Sequence, residues 1–398
     1  MTEMLYTPKN EIDTRIQALQ AILAQQEMDG ALIVHHTNLF YLSGTSQSCH
    51  LFIPRIGEPL LMARKSYHRA LIESPIEQIM ELQSLKKIPE ILQQRGCPLE
   101  NLGMELDVIP YNNWKFYKKI FYDTNLTDIS DSLKRIRMIK SDHEINLLQE
   151  ACTILDQVFS EVPAMVCEGM TEIELASLFE AGLRRRGYAG CSKMRTFNQD
   201  FFLGNIVSGT SGAVPSYFDS AVNGSGLTPA NNPHGAGWKT IGRNEIIFID
   251  YSCLINGYLA DGARMFVLGS VSEQLQQAHN AALSIQNELI EMIRPGTICE
   301  DIYERAVSLA EERGLGDHFM GIGKDRARFI GHGIGLELDE YPIFAKGVKT
   351  PLVPGMTFAL EGPKFVFPEG AIGIENSCCL KPDGLQVLTR APQEIIRL

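Results

Sequence analysis

The chain has 398 residues, 44% of them hydrophobic and 21% charged, the balance of a globular protein with room for two or three domains and a large core. Its net charge of −12, with no basic run longer than Arg184–Arg186, argues against a nucleic-acid or anionic membrane surface. No segment approaches the roughly 20 apolar residues of a membrane span, and the N-terminal MTEMLYTPKNEIDTR has no apolar signal core. The nine cysteines, Cys191 among them, form no CxxC pair, so the composition predicts reduced thiols in a cytoplasmic protein.

Residues 11–28 carry apolar side chains at helical spacing (Ile12, Ile16, Leu19, Ile22, Leu23) and stop before Gly30. A strand is expected from Ala31 to His36, and two more over His50–Pro54 and Pro59–Arg64, separated by a turn at Arg55-Ile56-Gly57. Mixed helix and strand signals fill 78–96, and Asn101–Leu106 reads as a further strand. This alternation predicts a small α/β domain over residues 1–134. Its histidines, His35, His36, His50 and His68, have no recognisable ligand spacing and read as packing or surface groups.

The basic segment Lys134–Lys140 reads as a linker into a second domain, 135–398. Ser141 and Glu144 form a capping box, followed by Ile145, Leu148, Cys152, Leu155 and Phe159 at helical spacing. An internal repeat follows. Gly169, Leu175, Arg186 and Gly187 recur as Gly296, Ile302, Arg313 and Gly314, each 127 residues later. Each copy reads as loop, amphipathic helix and glycine stop. The matched offsets predict a duplicated α+β half with a site between the halves. Gly204–Trp238 is rich in Gly, Ser, Asn and Pro, reads as a long loop, and carries Asn231-Asn-Pro-His234-Gly235.

The stretch Asn244–Phe266 holds Asp250 and Asp261 on either side of Asn256-Gly257, a pair suited to a two-residue hairpin turn. That turn sets Ile255 opposite Tyr258 and Asp250 opposite Ala263, two residues from Asp261 on the same strand. Both aspartates then share a face as diagonal neighbours. They are either strand-end groups in solvent or a repelling pair with a cation, such as a metal ion, between them. Three later segments also set polar groups in apolar strands. His332 stands between glycines in Phe329–Pro342, Glu361 ends the face Thr357-Ala359-Glu361, and Glu375 shares a face with Gly373.

In order, Asp250, Asp261, His332 in GHGIG, Glu361 and Glu375 in GIEN resemble the pita-bread metallopeptidase family (M24): methionine aminopeptidases, Xaa-Pro aminopeptidases and prolidases, with creatinase as a metal-free relative. The likeness covers about 135–398, and the first domain is similar to the creatinase-type domain of the Xaa-Pro branch. It implies an α/β N-terminal domain, an α+β pita-bread catalytic domain and a dinuclear centre. Asp250 would chelate one ion, Asp261 and Glu375 would bridge both, and His332 and Glu361 would complete the other. Two divalent ions (Mn, Co, Zn or Fe) would lower the pKa of a shared water, with Glu361 shuttling its proton and His234 positioning substrate. A homodimer is also implied.

The pattern departs at four places. Two accessory histidines fall on Arg328 and Asp339, the arginine before the last glutamate falls on Gly373, and Glu-Pro-Gly appears as Glu361-Gly362-Pro363. Asp339 suits a cationic substrate or pairs with Arg328. The leading expectation is therefore an Xaa-Pro aminopeptidase or dipeptidase acting on short peptides, with Arg328, Asp339 and Gly373 shaping the substrate wall. The alternatives are the same centre acting as hydrolase or lyase on a small non-peptide amide or zwitterion, and a non-catalytic binding module.

Overall fold

The computed structural model describes residues 5–398 except Cys191, Asp200, Leu203, Asn231 and Asn232. The Cys191 thiol and the Asn231-Asn232 pair singled out above lie outside the described residues. The chain divides into two compact units, Met1–Arg137 and Met138–Leu398.

The first unit is built on a six-stranded mixed sheet. Its spatial order is Ile79–Glu81, Leu60–Ala63, Cys49–Pro54, Gly30–Ile33, Asn101–Met104, Asn125–Asp128. The meander from Gly30 to Ala63 is antiparallel, and the outer strands add in parallel. Leu32, Phe52, Met62 and Leu102 project into one core with Leu92 and Phe121. The helix over Lys9–Gln25 buries Ile12, Ile16, Leu19 and Leu23, the stripe its sequence spacing predicts. The expected strand over Ala31–His36 is shorter. It ends at Ile33, and a helix, His36–Ser43, begins where the apolar run continues. The carboxylate of Glu105 draws the chain aside by accepting from the backbone N–H groups of Val34 and His35. Lys134–Lys140 is not a free linker: Ser130–Met138 is helical, Arg137 donates to Asn38 Oδ1 at 2.9 Å, and Lys140 pairs with Glu340 at 2.9 Å.

The second unit repeats a helix pair. Asp142–Met165 with Glu172–Arg185 corresponds to Glu273–Met292 with Cys299–Glu312. Both capping-box hydrogen bonds at Ser141 are present. The repeat extends to side-chain contacts. Arg186 donates to Gly182 O and to Glu161, while Arg313 donates to Leu309 O and to Glu288, the same offsets in each copy. Each helix pair backs a sheet. One has the order Ile396–Arg397, Tyr258–Val267, Ile246–Ile255, Gly204–Ser208. The other has the order Glu340–Ala345, Phe329–Gly333, Thr357–Leu360, Asn376–Lys381, Gly384–Val387. A ribbon, Lys364–Phe367 with Gly370–Gly373, lies in the chain just before Glu375. One core runs through both halves and includes Phe248, Ala263, Ile285, Ile302, Phe358 and Ile372. The stretch expected to be a long loop is ordered at its start, because Gly204–Ser208 pairs with the hairpin, Asn205 opposite Asp250. Glu172 then ties the following segment down, its carboxylate accepting from Ser208, Ser211 and the Gly237 N–H.

The hairpin has the predicted register: Ile255 faces Tyr258 and Asp250 faces Ala263. Asn256 (φ 49°) and Gly257 (φ 90°) both take the positive φ that a tight turn of this hand needs. Gly257→Ala is expected to destabilise the protein by about 1–2 kcal/mol, read as a lower urea midpoint at unchanged slope. His50 generates a second expectation. Burial, and then the charge of Arg64, lower its imidazole from the ordinary 6.5 to about 4, while its Nε2 contacts Tyr117 Oη at 2.8 Å. A folded pKa below the unfolded one gives stability that is present above pH 6.5 and lost as pH falls towards 4. The native protein should lose roughly 3 kcal/mol more across that window than His50→Gln, measured by urea unfolding at stepped pH.

Candidate metal centre

The five residues of the ligand pattern come together from both halves of the second unit. Asp250 and Asp261 stand on the hairpin, on the strands Ile246–Ile255 and Tyr258–Val267. His332 comes from Phe329–Gly333, Glu361 directly follows Thr357–Leu360, and Glu375 directly precedes Asn376–Lys381. Backbone contacts lock the halves in register. Ala263 N donates to Glu375 O at 3.3 Å. Ser377 Oγ accepts from Asp261 N at 2.8 Å and donates to Asp261 O at 2.7 Å. Arg264 is fully buried and donates to Glu375 O at 2.8 Å, Asn376 Oδ1 at 2.9 Å and Ala391 O at 3.0 Å. These backbone anchors hold Asp261 and Glu375 side by side. Around His332 the glycines serve packing between strands: a Cβ at Gly333 would meet Tyr341 O at 2.1 Å, and one at Gly331 would meet Ala359 O at 2.6 Å. The space beside them therefore belongs to the neighbouring strands.

The side chains form one buried charge cluster. Asp250, Asp261, Glu361 and Glu375 are all buried, and the His332 side chain is 12% exposed. His332 Nε2 lies 3.1 Å from Glu361 Oε1 and 3.8 Å from Asp261 Oδ2. A sixth residue, absent from the expected set, sits among them. The ammonium of Lys364, 1% exposed, donates to Asp250 Oδ2 at 2.9 Å, Glu361 Oε2 at 3.1 Å and Glu375 Oε2 at 2.7 Å.

The protonation energetics follow from this geometry. Burial pushes the Glu361 carboxyl up, but Lys364 and His332 overcome it and hold it at about 2. Burial would lower His332, yet its hydrogen bond to Glu361 and the charges of Glu361 and Asp261 raise it to about 9. Burial and the charge of Asp250 raise Asp261 to about 7, and burial with the charge of Asp261 lifts Glu375 well above the carboxylate range. Burial raises Asp250 as well, against the charge of Lys364, so Asp250, Asp261 and Glu375 are all short of positive charge.

That shortage marks where a cation fits. Ligand atoms of Asp261, His332 and Glu375 lie within 4.8 Å of one another, a spacing that one divalent ion can share. Glu375 Oε1 is buried without a hydrogen-bond partner among the described residues, a costly state unless a cation satisfies it. The donor set therefore fits one ion. It does not equally fit a second ion on Asp250 and Glu361, because Lys364 holds an oxygen of each.

The other expected site residues are placed as follows. His234 is buried, stacked on Phe218 at 4.9 Å, with Nδ1 3.4 Å from Asn205 Oδ1. Asn205 faces Asp250 in the sheet ladder, so the loop histidine is tied to the ligand strand. Asp339 does not form the ion pair with Arg328 that the sequence allowed. Its carboxylate accepts from Arg195 N at 3.1 Å and Thr196 Oγ1 at 2.6 Å. Arg328 is exposed and acts on Asp219, whose carboxyl is raised by burial and by Glu361 and lowered by Arg328. Gly373 faces Lys364 across the ribbon ladder. Sequence reasoning passed over Lys364. Its signal was a lysine opening the apolar run Lys364–Phe367 between Glu361 and Glu375, a position where lysine is seldom buried unless paired.

Comparison with known proteins agrees with this architecture. A model of metallopeptidase family M24 matches residues 146–382, and one of the creatinase/prolidase N-terminal domain matches residues 15–139. The chain is 26% identical over 385 residues to an Xaa-Pro dipeptidase of Pyrococcus furiosus, covering 96% of this chain and 99% of the relative. The structure is similar to an Xaa-Pro dipeptidase from Bacillus anthracis, with a TM-score of 0.83, 25% identity, and coverage of 97% of this chain and 100% of that one. It is also similar to the prolidase from Pyrococcus horikoshii, with a TM-score of 0.81, 25% identity, and coverage of 96% and 100%. With its creatinase-type N-terminal domain and a pita-bread domain carrying a buried acid–histidine cluster, the chain belongs to metallopeptidase family M24.

Proposed function

We propose that the protein is a metal-dependent aminopeptidase or dipeptidase that cleaves Xaa-Pro bonds in short peptides. The observation that carries this reading is the convergence of Asp261, His332 and Glu375 from two halves of the fold, with Glu361 in hydrogen-bond contact with His332. Full-length similarity to Xaa-Pro dipeptidases supports the substrate class. Asp261, His332 and Glu375 would hold a divalent ion; their oxygen and nitrogen donors suit Mn, Co, Zn or Fe. The full set of four carboxylates and an imidazole would in number serve two ions, with Asp250 and Glu361 as the further ligands. Bound there, a divalent ion would supply a Lewis acid and a water of lowered pKa.

The remaining chemistry falls to side chains. Glu361 takes and returns the proton at its carboxylate, with His332 hydrogen-bonded to one oxygen and Lys364 to the other. His234, kept neutral because burial lowers its pKa, is suited to donate to or accept from a substrate polar group. Among the wall residues, Arg328 is the exposed cation that faces substrate, Asp339 shapes the wall by holding the 195–196 segment, and Gly373 acts through Lys364. The eight described cysteines are all free, which supports a reducing, cytoplasmic setting, and the family likeness supports a homodimer. A second reading, hydrolysis or lysis of a small amide or zwitterion, is favoured by one observation: the positive charge the family pattern puts at position 373 lies inside the cluster, on Lys364.

Purified protein supplied with Mn²⁺, Co²⁺ or Zn²⁺ is expected to hydrolyse Xaa-Pro dipeptides and to stop when chelated. Glu361→Gln should lower kcat at least about 100-fold with a smaller change in KM. A panel that includes small cationic amides and zwitterions decides between the readings. Turnover confined to the non-peptide substrates would favour the second, and no turnover of any Xaa-Pro peptide with any ion would defeat the first.

A further inference from the structure

The place of Lys364 changes what the centre can bind. An ammonium has three N–H donors and no acceptor. Those of Lys364 are matched one for one by oxygens of Asp250, Glu361 and Glu375 at 2.7–3.1 Å. It therefore has no donor left for substrate. It takes up an oxygen each of Asp250 and Glu361, the two acids outside the Asp261–His332–Glu375 group, and one oxygen of Glu375 within it.

A sequence departure, Gly373, makes room for this arrangement. Lys364 and Gly373 are directly opposed in the ribbon. A Cβ at position 373 would stand 2.7 Å from Lys364 Cγ and 2.8 Å from its Cα. Any side chain there would displace the lysine stem, so the bare glycine admits the lysine. The Phe248 ring, with its centroid 5.9 Å from Nζ, forms part of the stem's surroundings.

Charge points the same way. Four ionised carboxylates carry four negative charges. The lysine leaves three, and one divalent ion leaves one. A second divalent ion beside the ammonium would put like charges in contact with little water to screen them.

We infer that the ammonium of Lys364 stands in the place of a second metal ion, so that the centre takes one divalent ion fewer than its five donor side chains would otherwise hold. This rests on the proposed metal-dependent reading. Lys364 acts as a fixed charge that holds Asp250 and Glu361 in position, not as a group that touches substrate.

The test counts ions on the full-length protein. Native protein and Lys364→Met, both purified in excess Mn²⁺ and desalted, are analysed for manganese per chain by mass spectrometry. The native chain should hold one ion and Lys364→Met two. The native Mn²⁺ electron paramagnetic resonance spectrum should be that of an isolated ion, a readout that needs no variant to fold. Two ions in the native chain with an exchange-coupled spectrum, or equal counts in the two proteins, would overturn the inference. A native count of zero with one ion gained in Lys364→Met would uphold the role of Lys364 and defeat instead the assignment of Asp261, His332 and Glu375 as a metal site.

Discussion

Buried like charges need a counter-charge, and most of this catalytic unit is arranged around that need. Asp250, Asp261, Glu361 and Glu375 are all withdrawn from water within one cluster. Without compensation, such groups would take up protons or force the fold apart. Lys364 pairs with Asp250, Glu361 and Glu375 from within the chain, and His332 pairs with Glu361. What is left is the pull on Asp250, Asp261 and Glu375, all held above their ordinary range, of which Asp261 and Glu375 lie with His332 in one ligand-sized group. The place for an external cation is thus defined by where internal charge runs out.

Duplication explains how one chain can build such a cluster. Each half brings a helix pair stapled by the same arginine contacts, Arg186 to Glu161 and Arg313 to Glu288. Each half also brings strands whose inner faces meet at the Ala263–Glu375 bridge. The five residues of the cluster divide between the halves, two aspartates on one and His332, Glu361 and Glu375 on the other. Ser377 and Arg264 fasten the backbone across that junction, so the spacing of these side chains is set by sheet and not by loops. The longer irregular segment contributes His234, and even that is moored through Asn205 beside Asp250.

Much of this was legible from local chemistry. Asn256-Gly257 determines a turn type, the turn determines register, and register alone places both aspartates on one face. The capping box at Ser141 and the repeated glycine and arginine offsets were likewise local signals with local consequences. The contacts that were missed are those between segments distant in sequence or across unforeseen turns. Lys364 meets Gly373 only after the chain reverses between Phe367 and Gly370, and its ammonium reaches Asp250 from another sheet. Asp339 was compared with Arg328, its neighbour in the motif, whereas its partners lie at 195 and 196. Lys134–Lys140 read as a linker, but its Arg137 and Lys140 are buried, donating to Asn38 and Glu340. In each case a polar residue was read by its type, while its role depended on a tertiary partner.

The most direct test of this account is diffraction at the manganese edge from crystals of the native protein grown or soaked in Mn²⁺. The account predicts one anomalous peak bounded by Asp261, His332 and Glu375, with the Lys364 side chain reaching Asp250, Glu361 and Glu375. Two peaks with the lysine turned out of the cluster would contradict it.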